Sequence, residues 1–214
     1  MLPAMNTMTS IEALRALYDP ARERSSKKEI PQLDAHARRF IGLSPFLVIA
    51  SGDGAAGMDS SPRGGAPGFV HALNAHTLLI PDAPGNNRLD TLENIARGGE
   101  AGAPVGLLFL IPGVDETLRV NGRAWLSTDE DERTRCAEPG RLPRLAIRVT
   151  VQACYLHCAK SLMRSRLWDA QHHVDRAALP SMGEMMRDQI REFRGEEVVA
   201  ETQEQMLERY RQTL

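Results

Sequence analysis

The chain has little of what announces the commonest functional classes. It carries three cysteines, an odd number that builds no disulfide framework in 214 residues. No apolar run approaches the roughly 20 residues that cross a bilayer, which argues against a membrane partner. The start, Met1-Leu2-Pro3-Ala4-Met5, lacks the basic region and the apolar core of a signal peptide, so a cytoplasmic location is expected. A formal net charge of −2 argues against general nucleic-acid binding. Catalytic signatures are missing as well. Ser44 and Ser51 have no glycine-flanked elbow, and Gly64-Gly65-Ala66-Pro67-Gly68 follows no dinucleotide fingerprint. Cys136, Cys154, His157 and Cys158 lack the paired spacing of a structural zinc site, so the cysteines read as buried and reduced, and no metal is expected. His172-His173 reads as loop.

What is present is an ordinary globular composition, 42% hydrophobic and 25% charged, long enough for one domain with short appendages. Near the N-terminus, Ile11, Leu14, Leu17 and Tyr18 share a helical face, with Thr9 and Glu12 as a capping box and Asp19-Pro20 as the stop. Residues 22–29 read as a charged connector, and Leu33, Ala37, Phe40 and Ile41 as a second short helix. Strands are expected over 46–50, 58–63, 77–81, 105–111, 118–126 and 145–155. The first two are joined through the turn signal Ser51-Gly52-Asp53-Gly54. In the last strand Leu145, Ile147, Val149, Val151 and Ala153 take one side; Arg148, Thr150, Gln152 and Cys154 take the other. Helices are expected over 88–97, with Asn87 and Asp90 capping its start, and over 158–168, 182–193 and 201–211. Mainly antiparallel strands with one inserted helix and helices at both ends predict an α+β barrel.

Three segments carry chemistry. Leu78-Leu79-Ile80-Pro81-Asp82-Ala83-Pro84-Gly85-Asn86-Asn87-Arg88 runs from a buried strand through a turn into a helix start. Free N–H groups and an arginine there suit a phosphate. A capped surface helix with a solvated arginine fits the same residues. Asp59-Ser60-Ser61-Pro62-Arg63-Gly64-Gly65 places hydroxyls beside an arginine at a strand edge; it is either an anion site or a plain hairpin end. On one helical wheel His157, Ser161, Arg164 and Trp168 form a stripe beside Lys160. That stripe faces a ligand or partner, or else Trp168 folds back onto the core.

These segments, with Ser44-Pro45-Phe46-Leu47-Val48-Ile49-Ala50, Leu107-Leu108-Phe109-Leu110-Ile111-Pro112-Gly113 and Glu116-Thr117-Leu118-Arg119-Val120-Asn121-Gly122, resemble the pyridoxamine 5′-phosphate oxidase-like, FMN-binding split-barrel family. The resemblance spans residues 40–168 and points to a bacterial subgroup sharing the Ser-Pro-Arg-Gly and Leu-Arg-Val-Asn-Gly signatures. It implies an α+β fold with a six-stranded, mainly antiparallel split β-barrel and flanking helices. It also implies a homodimer with FMN at the subunit interface. The corresponding division is an N-terminal helical segment 1–40, the split-barrel domain 41–168 and a C-terminal helical extension 169–214. Cofactor contacts carried over are Ser60, Ser61, Arg63, Ile80, Asn87 and Arg88. Thr117 stands where the family has a flavin-contacting glutamine. Lys160, Arg164 and Trp168 would reach the flavin from the partner chain. True pyridoxamine phosphate oxidases carry Arg-x-Val-Leu-Leu-Lys where this chain has Asp59-Ser60-Ser61-Pro62-Arg63, and end in an Arg-Leu-x-Pro segment absent here. Vitamin B6 oxidation is therefore not inherited. The expectation is an FMN-dependent oxidoreductase with a small-molecule substrate. A non-catalytic module holding flavin, haem or a pyridoxal compound is the alternative, and an interaction protein docking through its helical tail is a third.

Overall fold

Seven strands form one antiparallel sheet in a computed structural model that describes residues 7–52 and 57–212. Met1–Met5 and the Asp53-Gly54 part of the expected turn lie outside those residues. The strands are β1 (Phe46–Gly52), β2 (Met58–Gly64), β3 (His71–Ala72), β4 (Thr77–Pro81), β5 (Ala103–Ile111), β6 (Val114–Ser127) and β7 (Ala146–His157), in the order β2-β1-β5-β6-β7-β4-β3. The helices are α1 (Ile11–Ala16), α2 (Glu23–Lys27), α3 (Ala35–Leu43), α4 (Asp90–Arg97), α5 (Glu130–Arg135), α6 (Lys160–Ser165), α7 (Met182–Arg194) and α8 (Gln203–Arg211). None is long and apolar enough to cross a membrane.

Side-chain alternation builds the core. Leu47 and Ile49 of β1, Val105, Leu107 and Phe109 of β5, and Leu118, Val120 and Ala124 of β6 all point to one face. Leu33, Ala37 and Ile41 around α3 and Leu92 and Ile95 of α4 cover that face. Each fully buried Leu, Ile or Phe contributes about 1.5–3 kcal/mol relative to exposure. Strand β4 is buried at every residue. Leu78 and Ile80 enter the main core, while Leu79 packs with Cys136 and Ala146 on the opposite face. The buried Ser44 hydroxyl donates to the carbonyls of Phe46 and Leu110, both at 2.7 Å, and ties the end of α3 to the edges of β1 and β5.

The sheet is strongly curled. β2 is one edge strand and β4 lies next to the other edge, yet Arg63 of β2 and Pro81 of β4 line the same cleft. Right-handed twist accumulated over several strands brings the two ends together.

Several expectations are corrected. Seven strands stand where six were expected; the addition, β3, is two residues long and too short to show a period. The connector at 22–29 contains the helical turn α2. Ser10, not Thr9, caps α1 through the Ala13 N–H, and the α1 apolar residues are exposed, Ile11 by 77%. Cys154 faces the core rather than the side of Arg148, because β7 carries a bulge. Asn121 pairs with Ala153 and Gly122 with Val151, leaving Gln152 as the extra residue; one extra residue reverses the facing of all that follow. The helix expected over 158–168 covers only Lys160–Ser165.

The bulge depends on Gly122, where an added Cβ would lie 2.1 Å from the Thr150 carbonyl oxygen. Gly122→Ala should destabilise the protein by about 2 kcal/mol or more, read from urea unfolding followed by circular dichroism. An unchanged midpoint would contradict this packing. Burial pushes the Cys136 and Cys154 thiols up to about 11, while Cys158 is exposed. A thiol-reactive disulfide reagent near neutral pH should therefore label one cysteine in the native protein and all three after unfolding. Rapid native labelling of a second thiol would show that one buried site opens.

Candidate functional site

A cleft of about 750 Å³ opens where the two ends of the curled sheet meet. Three segments wall it: Ser61 to Gly64 of β2, the 81–92 stretch leaving β4, and the loop 138–145 before β7. β4 ends at Pro81, the Asp82 N–H adds one more backbone bond to the Leu145 carbonyl at 3.2 Å, and the chain leaves the sheet beyond it. On β2, alternation turns Asp59, Ser61 and Arg63 inward and Ser60 and Pro62 outward.

Arg63 is half-buried and braced locally. Its Nη1 donates to Ser61 Oγ at 2.6 Å and to the Pro62 carbonyl at 2.8 Å. Burial pushes its pKa down, and the carboxylates of Asp82 and Asp59 oppose that. Asp59 is occupied by the Thr91 hydroxyl. Arg88 is exposed and pairs with Asp90, Nε to Oδ2 at 2.8 Å. That hydrogen bond raises the Arg88 pKa and lowers that of Asp90. An exposed pair of this kind is worth little and yields readily to a better anion.

The 85–90 turn stores backbone strain. Asn87 and Leu89 both adopt left-handed conformations, with φ of 59° and 61°. Each costs on the order of 1 kcal/mol, less for asparagine. Asn86 Oδ1 accepts the Arg88 N–H at 3.0 Å and holds the turn. Leu89 is the N-cap of α4 and supplies no side-chain bond, so the expected Asn87–Asp90 cap does not form. The helix start is left uncapped by any side chain among the described residues. Gly85 is not demanded by space, since a Cβ there would meet nothing within 4 Å.

The cleft also holds groups that sequence reasoning missed: Asp82, Arg141 and Arg144. Arg141 pairs with Glu138. Asp82 feels Arg63, Arg144 and Arg141, but burial outweighs them and pushes its carboxyl pKa up. The loop carrying the two arginines is fixed from behind. Arg133 Nε donates to the Pro143 carbonyl at 2.8 Å, and the buried Glu132 beside it ties α5 to Arg148 of β7. The signal available was the Pro139-Gly140-Arg141-Leu142-Pro143-Arg144 turn, a second arginine-bearing proline/glycine segment like the one at 62–65.

The profile of the pyridoxamine 5′-phosphate oxidase family matches residues 33–158. The chain belongs to that family. Among solved structures, HupZ from Group A Streptococcus shares 15% identity, with 58% of this chain and 93% of that one covered at a TM-score of 0.45. General stress protein 26 from Bacillus anthracis shares 12%, with 56% and 93% covered at a TM-score of 0.40. No curated protein sequence matches.

The residues carried over from the family divide into groups. Ser61, Arg63, Asn87 and Arg88 line the cleft. Ser60 is exposed on the other face of β2, and Ile80 is fully buried in the core. Thr117, Lys160, Arg164 and Trp168 are not part of this chain's cleft. Thr117 is buried at the start of β6, opposite His157 of β7. Lys160 and Arg164 lie exposed on α6. His157 is in a strand and Trp168 lies beyond the helix, so the expected stripe does not form. Instead Trp168 Nε1 donates to the Val114 carbonyl at 3.0 Å and folds back on its own chain. Beside Thr117, the Tyr155 ring lies 5.3 Å from both the Lys28 and Arg119 cations. His157 Nδ1 is buried without a partner among the described residues. Burial, then Lys28 and Arg119, lower the His157 pKa. Replacing Trp168 by Phe removes the indole donor and should cost about 1 kcal/mol, measured by thermal unfolding. No loss of stability would show that this hydrogen bond does not anchor the segment after α6.

Proposed function

We propose that the protein is a homodimeric FMN-binding flavoprotein built on a split barrel, an oxidoreductase that acts on a small molecule. One observation carries this reading: a half-buried arginine, Arg63, is braced beside a hydroxyl in a cleft that also holds Arg88, Arg141 and Arg144. A forked guanidinium beside a hydroxyl and an uncapped helix start is chemistry suited to a phosphate monoester. The cleft volume lies within the range of about 300–1,000 Å³ usual for cofactor-sized ligands, so the residues present fit the group.

In this reading Ser61, Arg63, Asn87 and Arg88 hold the phosphate end. Ser60 and Ile80 take part through backbone alone. Thr117, Lys160, Arg164 and Trp168 lie apart from the cleft in their own chain, so any contact they make with the flavin would come from a partner subunit. FMN, when bound, would provide the redox chemistry. The protein anchors its phosphate, orients the ring and leaves positive charge near it. The proposed domain covers 41–168 with extensions 1–40 and 169–214. Leu33, Ala37 and Ile41 around α3 seal the core across the first of these boundaries.

The absorbance spectrum of natively purified protein, with mass identification of released cofactor, tests the reading. A flavin spectrum and a mass corresponding to FMN are expected. Arg63→Ala and Arg88→Ala should each weaken FMN binding by about tenfold or more. A colourless preparation that does not take up added FMN, or two variants with unchanged affinity, would overturn the assignment.

A further inference from the structure

Each end of the chain presents an apolar helical face that its own chain leaves uncovered. Every residue from 7 to 29 is exposed, Ile11 by 77% and Leu17 by 68%. Yet α1 is a well-formed helix, with the Ser10 hydroxyl accepting the Ala13 N–H. Its six residues do not hold a helix alone in water, so α1 needs a surface to lie on. The arm is pinned to the sheet at Ile30, whose N–H and carbonyl exchange bonds with Cys154 at 2.9 and 2.8 Å. From there to Tyr18 it reaches roughly 25 Å with α2 helical. At the other end, α7 and α8 approach so closely that a Cβ on Gly183 would lie 2.0 Å from the Glu201 carbonyl oxygen. This hairpin buries Met206 alone among its described residues. Met182 and Met186, one helical turn apart on α7, are 46% and 48% exposed, and Leu207 of α8 is 40% exposed. Methionine side chains adapt readily to an amphipathic helix laid against them.

Charge matches the two faces. Residues 7–29 carry five cations and four carboxylates, whereas residues 169–214 carry six arginines and ten carboxylates. Arg22 and Arg24 stand exposed beyond α1, and Glu196 and Glu197 stand exposed beyond α7; none of the four is in an ion pair among the described residues. We infer that the arm of residues 7–29 crosses to a second copy of the chain. There α1 lies on the Met182–Met186 face of the α7–α8 hairpin, and Arg22 and Arg24 meet Glu196 and Glu197. The hairpin of the same chain leaves the arm uncovered, so the pairing runs between copies. Two-fold symmetry makes it twice in one dimer. This rests on the homodimer proposed above and is independent of the flavin.

Two charge reversals of the full chain test this by sedimentation equilibrium: Arg22→Glu with Arg24→Glu, and Glu196→Arg with Glu197→Arg. All four residues are exposed, and thermal melts check that the variants are folded. Either reversal alone sets like charges against each other and should weaken dimerisation about tenfold or more. Mixing the two variants restores opposite charges at both contacts of the mixed dimer, so the affinity should return close to that of the wild type. A contact within one chain would leave the mixture as weak as its components. Hydrogen exchange supplies a second readout. The amides of α1 should be protected in the wild-type dimer and exchange freely in either variant diluted to monomer. Amides unprotected in the wild-type dimer would mean that α1 is not covered by a second copy and would overturn the inference. A dimer unmoved by either reversal, or a mixture that is not rescued, refutes the arm exchange alone. A wild type that stays monomeric at every concentration refutes the homodimer as well.

Discussion

The cleft depends on a strand that has no exposed side. Thr77–Pro81 is buried at all five positions, with Leu78 and Ile80 locked into the main core and Leu79 into the smaller cluster behind it. A strand so covered cannot slide or tilt without exposing one apolar face, so its end point is set. The ladder closes with the Asp82 N–H on the Leu145 carbonyl, and the cleft wall that runs on to Asp90 starts from that fixed end. The opposing wall is equally constrained: β2 is held residue by residue against β1, from Phe46 with Gly64 to Gly52 with Met58. The curl of the sheet then decides the distance between them.

Charge inside the cleft is balanced rather than uniform. Arginines dominate, yet Asp82 stands among them, and Asp59 and Asp90 sit at the margin. A purely basic pocket would attract any anion, whereas interspersed carboxylates restrict what can enter. Asn87 and Leu89, both left-handed, lie in the same wall; such residues persist where the surrounding structure over-determines the turn. The second polar cluster, at Thr117, Tyr155 and His157, belongs to the opposite ends of β6 and β7 and leaves a buried imidazole nitrogen without a partner. A partner subunit that brought this region to the cleft would join the two halves of one site.

Much of this architecture is readable from local pattern. The alternation of β6 places Leu118, Val120 and Ala124 inward correctly, because period two survives where a strand has one buried face; β1 and β5 are nearly continuous apolar runs in sequence, and only the structure shows which of their sides is buried. The tail helices expected over 182–193 and 201–211 from their amphipathic pattern cover Met182–Arg194 and Gln203–Arg211, each opened by a capping box, Ser181 with Glu184 and Thr202 with Gln205. Two kinds of feature escape such reading. The extra residue at Gln152 reverses the facing of Cys154, yet nothing in Val151-Gln152-Ala153 announces a bulge; its cause is the close approach of Gly122 on another strand. Arg141 and Arg144 stand on a loop that Arg133 holds from outside the cleft through the Pro143 carbonyl. Tertiary gathering of this sort has no periodicity. Trp168 illustrates the converse, a residue whose helical-wheel neighbours suggested a ligand and whose indole instead finds the Val114 carbonyl.

The proposed cofactor is held through its phosphate. The most direct measurement compares FMN with riboflavin, which has the same ring and ribityl chain but no phosphate, by fluorescence titration of the apoprotein. Charge-assisted bonds from Arg63 and its neighbours should make FMN bind about a hundredfold more tightly. Equal affinity for the two would show that the cleft does not hold the phosphate.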